Sequence, residues 1–250
     1  MVEMQPELSI VIPAFNEEAS LPRLIHSIEN KVDTPMETLV VLDGGTDSSL
    51  DILKRLRADG REWLKVIALE RNHGQHQAIA AAFPFVKGRF VITLDADLQN
   101  PPEAIPMVLS KLKEGFDGVG TTRKLRQDNP VRKLVSAGFR FSTSIMFPRF
   151  PVRDPGSMLR GYSVKLIELF GEDRIEPRYL PFQLLSYADS YFEFPVGHNA
   201  REQGRSSYNL LGLVKLFGMS IAALKKKKRR EDDEIGLALT LGLEGRPCRD

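Results

Sequence analysis

Residues 90–102, FVITLDADLQNPP, constrain the fold most, because an apolar run ends abruptly in two aspartates one residue apart. Side chains alternate faces along a strand, so Asp95 and Asp97 are expected to point the same way, and Gln99 follows them if the extended conformation continues. Carboxylates at a strand end are typical of a ligand site in an open α/β sheet, where one or two of them hold Mg²⁺ together with substrate phosphates. The alternative is that the aspartates only end the strand and cap the helix that begins near Pro101 and Pro102.

Three other apolar runs of strand length, at residues 8–12, 38–42 and 65–69, precede the central one. Each is followed by a polar loop and by apolar residues at helical spacing. Strands that alternate with helices at this spacing predict an α/β fold with a Rossmann-like, mostly parallel sheet and helices on both faces. The same pattern predicts further strands near residues 118–121 and 192–196.

The first helix is expected to carry Glu17 and Glu18 in its first turn, where a carboxylate favours the helix dipole. Its core face would be formed by the apolar residues that recur at three- and four-residue spacing. These residues are Leu21, Leu24, Ile25 and Ile28.

The loops after the four strands are expected to open on one edge of the sheet, because parallel strands end at the same edge. This arrangement would place residues 13–17, Asp43, Arg71 and residues 95–99 around a single crevice, although they are far apart in the sequence.

Residues 1–208 are predicted to form one domain, because no convincing linker divides them. Residues 209–230 read as an amphipathic helix with six basic residues at its end, and residues 231–250 as a poorly ordered tail. An apolar helix flanked by a basic cluster can bind an anionic membrane surface. The alternative is a core helix that ends in a solvated charge run.

Composition excludes several classes of function. Lys and Arg total 35 and Asp and Glu total 33, so no overall charge excess indicates a nucleic-acid partner. Cys248 is the single cysteine, which excludes an internal disulfide and fits a cytoplasmic compartment. His73 and His76 are three residues apart, but further zinc ligands are missing from the pattern. The first residues lack the features of a secretory signal, and no apolar run of 18 residues predicts a membrane-spanning helix.

Seven motifs occur in a fixed order between residues 8 and 216. They are IVIPAFNEEASLP, LDGGTDSS, RNHGQHQAI, ITLDADLQNPPEAIP, VGTTRKLRQD, MLRGY and AREQGRSSY. The ordered set resembles glycosyltransferase family 2, whose fold is called GT-A, and within it the polyprenyl-phosphate glycosyltransferases. The resemblance implies an inverting transferase that moves a sugar from a nucleotide-sugar donor to a polyprenyl phosphate such as undecaprenyl phosphate, with Mg²⁺ or Mn²⁺ as cofactor. A UDP-linked donor is preferred, and GDP is the alternative.

The resemblance also assigns a nucleoside-binding set. Pro13, Phe15 and Glu17 match positions that line the nucleoside pocket, and Asp43 matches the aspartate that accepts a hydrogen bond from the base. Asp95 matches a carboxylate that binds the ribose or the metal.

A second set implied by the resemblance concerns the metal and the reaction. Asp97 and Gln99, together with Asp95, match the metal-binding positions, and Arg123 and Arg201 match basic residues around the donor diphosphate and the acceptor phosphate. The predicted catalytic residues are therefore Asp97, Arg123 and Arg201. A phosphate acceptor is already anionic near neutral pH, so no strong general base is required.

The sequence departs from the family pattern at several positions. Leu42 stands where relatives carry a second aspartate, Gly45 where serine is common, and Ser207 where a lysine is usual, with Arg205 as a possible substitute. Lipid-linked relatives commonly continue into two membrane-spanning helices, and the shorter tail here predicts a peripheral protein on the cytoplasmic face of the membrane. A transferase with a soluble glycan or protein acceptor and a non-catalytic nucleotide-sugar-binding module are the alternatives that stay open.

Overall fold

The computed structural model describes residues 5–123, 150, 152–173 and 176–197, and the backbone of 237–241. Within this part of the chain the strands form one eight-stranded sheet in the order β7-β5-β6-β4-β1-β2-β3-β8. The strands are β1 (Leu8–Ala14), β2 (Met36–Leu42), β3 (Leu64–Leu69), β4 (Phe90–Thr93), β5 (Gly118–Arg123), β6 (Arg160–Ser163), β7 (Tyr191–Val196) and β8 (Leu237–Leu241).

Parallel pairing dominates the centre of the sheet. β1 pairs in parallel with both β2 and β4, and β2 pairs in parallel with β3. β6 lies between β4 and β5 and runs antiparallel to both, so β4 and β5 point in the same direction. The predicted mostly parallel sheet is thereby confirmed. The segment SMLRGYS, residues 157–163, is short enough for a strand and contains β6, but the sequence did not predict its antiparallel direction or its place between β4 and β5.

Helices pack on both faces of the sheet, as predicted. They are α1 (Leu21–Lys31), α2 (Ser49–Ala58), α3 (Gln75–Ala82), α4 (Ile105–Lys113), α5 (Val164–Glu172) and α6 (Leu180–Leu185), with short 3₁₀ turns at Phe83–Phe85 and Pro102–Ala104. Because side chains alternate along β1, Ile10 and Ile12 join the core under α1, α2 and α4, whereas Val11 joins the core under α3, α5 and α6.

The beginning of α1 differs from the prediction. The four apolar residues predicted for its core face are buried, but the helix begins at Leu21 and has no acidic residue in its first turn. Placing Glu17 and Glu18 in that turn was therefore wrong. The physical reason is that this segment first bonds to the start of α2, where Ser49 Oγ accepts from the Glu17 N–H at 3.2 Å and Asp47 Oδ2 from the Glu18 N–H at 2.9 Å.

Several predicted features lie outside the described residues. They are Arg201, Arg205, Ser207, the helix at 209–230 and most of the basic and Phe-rich segment that follows Arg123. β8 lies within the 231–250 tail, where no strand was expected, and it pairs antiparallel with β3. The division into 1–208, 209–230 and 231–250 stays a prediction. Across the part of the chain that the structure describes, no helix is long and apolar enough to cross a membrane.

A buried ion pair joins β1, β2 and β3 at the edge of the sheet where these strands begin. Glu37 is 2% exposed and accepts hydrogen bonds from Ser9 Oγ at 2.5 Å and Lys65 Nζ at 2.6 Å. The backbone N–H of Lys87 donates to the same carboxylate at 2.5 Å. A buried charge is tolerated only when it is paired in this way.

Replacing Lys65 by methionine should destabilise the protein strongly, because the Glu37 carboxylate would stay buried without its cation. We expect the free energy of unfolding in urea to fall by about 3–5 kcal/mol. Lys31→Met is the matched control, since Lys31 and Glu103 are 4.0 Å apart with side chains 47% and 55% exposed. That variant should change stability by less than about 1 kcal/mol, and equal losses in both variants would contradict the assignment.

Candidate active site

The loops that follow β1, β2, β3 and β4 meet at the carboxyl edge of the sheet, as the sequence predicted. Asn16 Oδ1, after β1, accepts from the Thr46 N–H, after β2, at 2.9 Å. Asn16 adopts a left-handed conformation with φ of 55°, which turns its side chain toward that loop. Gly45 has φ of +104°, and a Cβ there would lie 2.7 Å from Asn16 Oδ1, so this packing explains glycine where the family pattern has serine.

Asp43 holds the loop after β3 in place. Its side chain is 3% exposed, and its two oxygens accept from the backbone N–H groups of His73 at 2.7 Å and Gly74 at 2.8 Å. Both carboxylate oxygens therefore bind the protein's own backbone. Its predicted contact with the nucleobase stays a prediction.

Asp95 and Asp97 lie just beyond β4, which ends at Thr93. Asp95 accepts from two side-chain amides, Gln75 Nε2 on Oδ1 and Asn100 Nδ2 on Oδ2, the second at 3.1 Å. Asp97 Oδ1 accepts from the Gln99 N–H at 3.1 Å, which closes a short turn.

The extended conformation does not continue to Gln99, so the condition under which Gln99 would share a face with Asp95 and Asp97 is not met. Leu98 has φ of 60°, and the left-handed residue reverses the chain within the turn closed by Asp97. Asp-centred turns of this kind compete with strand continuation because the carboxylate supplies a local acceptor. The metal role of Gln99 stays a prediction.

The strand end fits a divalent metal that shares its coordination with a ligand. Asp95 and Asp97 offer oxygen donors, which Mg²⁺ and Mn²⁺ prefer. Among the residues that the structure describes, no group of three or more His, Cys, Asp and Glu side chains is placed to hold a metal alone. This donor set fits an ion bound by one or two carboxylates and completed by phosphate oxygens, and it does not fit a protein cage.

The other predicted nucleoside residues lie at the end of β1 in different environments. Pro13 is buried within the strand, in register with Val41, whereas Phe15 is 49% exposed at the strand end. Glu17 Oε2 accepts from Ser20 Oγ at 2.6 Å, one turn before α1. Phe15 is thus the one of the three that presents a large exposed aromatic face.

Arg123 lies at the end of β5, on the same edge, but its charge is paired. Its Nε and Nη2 each donate to Asp154 at 2.7 Å, with side chains 15% and 13% exposed. Burial opposes ionisation of Asp154, yet the hydrogen bonds and charge of Arg123 outweigh it and hold the pKa of Asp154 below its ordinary value. The predicted contact of Arg123 with a diphosphate stays a prediction, and Arg201 lies outside the described residues.

Three side chains at the carboxyl edge of the sheet were not predicted from the sequence. Gln75 and Asn100 bind Asp95, and Arg160, which is fully buried, donates to the backbone oxygens of Ser157 at 2.8 Å and Asp154 at 2.6 Å. Arg160 belongs to the MLRGY motif, and an arginine inside an apolar run was the available signal. Gln75 and Asn100 carried no such signal, because amides are common in polar loops.

Comparison with known proteins identifies the family. The family model described as "Glycosyl transferase family 2" matches residues 9–169. The chain belongs to glycosyltransferase family 2. Curated relatives of this glycosyltransferase include proteins named undecaprenyl-phosphate 4-deoxy-4-formamido-L-arabinose transferase, so its resemblance to the polyprenyl-phosphate branch is also confirmed.

Two of these relatives show how much of the chain is shared. The protein of Shewanella sediminis is 38% identical over 217 residues, or 84% of this glycosyltransferase and 64% of the relative. The protein of Pseudomonas fluorescens is 37% identical over 239 residues, or 93% and 69%. The glycosyltransferase thus spans about two thirds of the length of these relatives.

Solved structures of similar fold include glucosyl-3-phosphoglycerate synthase from Mycobacterium tuberculosis in complex with Mn²⁺, UDP and glucosyl-3-phosphoglycerate. The likeness has a TM-score of 0.60 at 21% identity and covers 89% of this chain and 80% of that one. At this identity it establishes the fold of the glycosyltransferase, and the predicted GT-A fold is confirmed.

Replacing Asp43 by asparagine should loosen the loop after β3. An asparagine keeps one acceptor oxygen but turns an NH₂ group toward a backbone N–H, so one buried donor loses its partner at a cost of about 1–3 kcal/mol. We expect faster hydrogen exchange at the amides of His73 and Gly74, measured by NMR. Asp33→Asn is the control, because Asp33 is exposed, and it should leave both amides unchanged. Unaltered exchange in Asp43→Asn would contradict the conclusion that Asp43 holds the loop after β3 in place.

His76 should make the protein sensitive to acid. It is buried beside Tyr179, with ring centroids 4.9 Å apart, and burial lowers the pKa of His76 to about 4 from 6.5. Between these values the unfolded chain binds a proton that the folded chain does not, so stability is present above pH 6.5 and declines as the pH falls toward 4.

The test is the free energy of unfolding at pH 7 and pH 4 for the wild type and His76→Phe. The wild type should lose on the order of 3 kcal/mol more than the variant on acidification. His26→Phe, at an exposed histidine, should behave as the wild type does. The same pH dependence in all three proteins would show that His76 is not the cause.

Proposed function

We propose that this glycosyltransferase inverts the anomeric centre while moving a sugar from a nucleotide-sugar donor, preferably UDP-linked, to a polyprenyl phosphate such as undecaprenyl phosphate. Two findings support this function. Relatives 35–38% identical carry the name of an undecaprenyl-phosphate sugar transferase. The carboxylates of Asp43, Asp95 and Asp97 also follow β2 and β4 at one edge of the sheet, which is the usual ligand-binding edge of such folds.

The described residues suit the two ends of a nucleotide-sugar. Phe15 is exposed and provides an aromatic face for the base, and Asp43 fixes the neighbouring loop through the His73 and Gly74 amides. Asp95 and Asp97 would hold Mg²⁺ or Mn²⁺, with Gln99 as a further predicted ligand, and the bound ion would supply positive charge against the departing diphosphate.

The acceptor end requires little proton chemistry. A lipid phosphate is already anionic and attacks the anomeric carbon directly, so the sugar–phosphate bond breaks without a base. Asp154 is unsuited to be that base, because Arg123 lowers its pKa and so makes it a poor proton acceptor. Since the acceptor is a lipid, we place the reaction at the cytoplasmic membrane surface, where the predicted basic helix at 209–230 would bind.

The proposed activity predicts organic-extractable label when the purified chain is offered radiolabelled UDP-sugars, undecaprenyl phosphate and Mg²⁺ or Mn²⁺. Asp97→Ala should reduce this transfer by at least about 100-fold, since it removes a group that holds the charge-stabilising ion. Chelation by EDTA should have the same effect and be reversed by Mn²⁺.

Asp33→Ala is the control, because Asp33 is exposed and lies between α1 and β2, near the beginning of β2 and not at its carboxyl end. It should transfer sugar at the wild-type rate, and circular dichroism should show that both variants are folded. Undiminished transfer by Asp97→Ala would refute the metal role, and label appearing only on soluble acceptors would refute the lipid acceptor.

A further inference from the structure

Asp95 is held in one orientation by amides from two different segments. Gln75 Nε2 donates to Oδ1 and Asn100 Nδ2 donates to Oδ2 at 3.1 Å, and Asn100 is 2% exposed. Neutral amide donors stabilise a carboxylate without adding a positive charge that would repel a cation. The direction of the Asp95 carboxylate therefore depends on the positions of Gln75 and Asn100.

The position of Gln75 is itself fixed by the loop after β3, which Asp43 binds at the proposed nucleoside site. It is the first residue of α3 and directly follows Gly74, whose N–H donates to Asp43 Oδ2 at 2.8 Å. Gly44 adds a backbone contact, because a Cβ there would lie 2.9 Å from the Asn72 nitrogen. Any shift of the Asp43 carboxylate and the two N–H groups bound to it therefore moves the backbone of Gln75, whose side chain donates to Asp95.

These contacts form a continuous path across the sheet. β1 separates β2, which leads to Asp43, from β4, which leads to Asp95, and the loop after β3 connects the two carboxylates. A ligand that orders one end of such a path makes ordering of the other end less costly, which is positive cooperativity between sites.

We propose that Gln75 is a positioning residue that couples nucleoside binding at Asp43 to divalent-metal binding at Asp95 and Asp97. The inference rests on the proposed function, since it requires both ligands. Its consequence is that the metal tightens binding of the nucleoside even when no phosphate connects them. By thermodynamic linkage the nucleoside tightens binding of the metal by the same factor.

Uridine is the probe that isolates this coupling, because it carries base and ribose but no phosphate to bind the ion directly. Calorimetry of uridine binding with and without Mn²⁺ should show an affinity increase of about fivefold or more in the wild-type chain. In Gln75→Met, which keeps the length of the side chain but removes the donor, the increase should fall to less than about twofold.

Gln77→Met is the matched control, since Gln77 lies two residues further along α3 and makes no side-chain hydrogen bond within the described part of the chain. It should retain the full wild-type coupling. Equal coupling in the wild type and Gln75→Met would overturn the proposal, as would a wild type in which Mn²⁺ leaves uridine affinity unchanged.

A measurement on the wild-type chain tests the path without any variant. Mn²⁺ added without nucleotide should slow hydrogen exchange at the His73 and Gly74 amides several-fold, and amides of α4 should not respond. If Mn²⁺ binds but exchange at these amides does not change, the coupling is overturned. The proposed function still stands in that case, provided that the chain transfers sugar to lipid. Absence of both uridine and Mn²⁺ binding overturns the coupling, and absence of sugar transfer to lipid as well overturns the proposed function with it.

Discussion

The Asp43 carboxylate is the interaction on which the candidate site depends, because it fixes the chain between β3 and α3. A buried carboxylate must be satisfied, and Asp43 is satisfied by two backbone N–H groups that the loop would otherwise expose. Gly74, with φ of 93°, lets the chain present its N–H and then enter α3 at once. The side chain of Gln75 is thereby placed within hydrogen-bonding distance of Asp95. One acidic residue at the end of β2 thus sets the geometry at the end of β4.

Stability and chemistry occupy opposite edges of the same sheet. Where the central strands begin, Glu37 is neutralised by Lys65 and fully hydrogen-bonded, so this edge is a closed structural element. Where the strands end, Asp95 and Asp97 accept from neutral donors in the loops. A carboxylate paired with a cation stabilises a fold, whereas amide donors orient a carboxylate without adding positive charge of their own.

The sequence predicted the features that follow from periodicity. The central strands, the buried face of α1 and the shared loop edge were all predicted, because each depends on the spacing of apolar residues or on parallel pairing. The start of α1 and the antiparallel direction of β6 were not, because each depends on contacts between distant segments. Glu18 bonds to the Asp47 loop, and β6 pairs with residues about 70 positions earlier in the chain. The turn at Leu98 was missed because it depends on a local hydrogen bond from the Gln99 N–H to Asp97, which the spacing of apolar residues does not show. The amide partners Gln75 and Asn100 were missed because amides are common in polar loops and carry no signal of their own.

Among the residues that the structure describes, Arg123 brings to this edge a positive charge that Asp154 already compensates. Its Nε and Nη2 both donate to the Asp154 carboxylate, and Arg160 donates to the backbone carbonyl of Asp154. A departing diphosphate would meet a guanidinium whose charge is already compensated, and its attraction to such a pair is much weaker than to a lone cation. The carboxylates beyond β4 add negative charge nearby. Electrostatics among the described residues of this edge therefore favour the proposed divalent ion, which would offset both the aspartates and the leaving group.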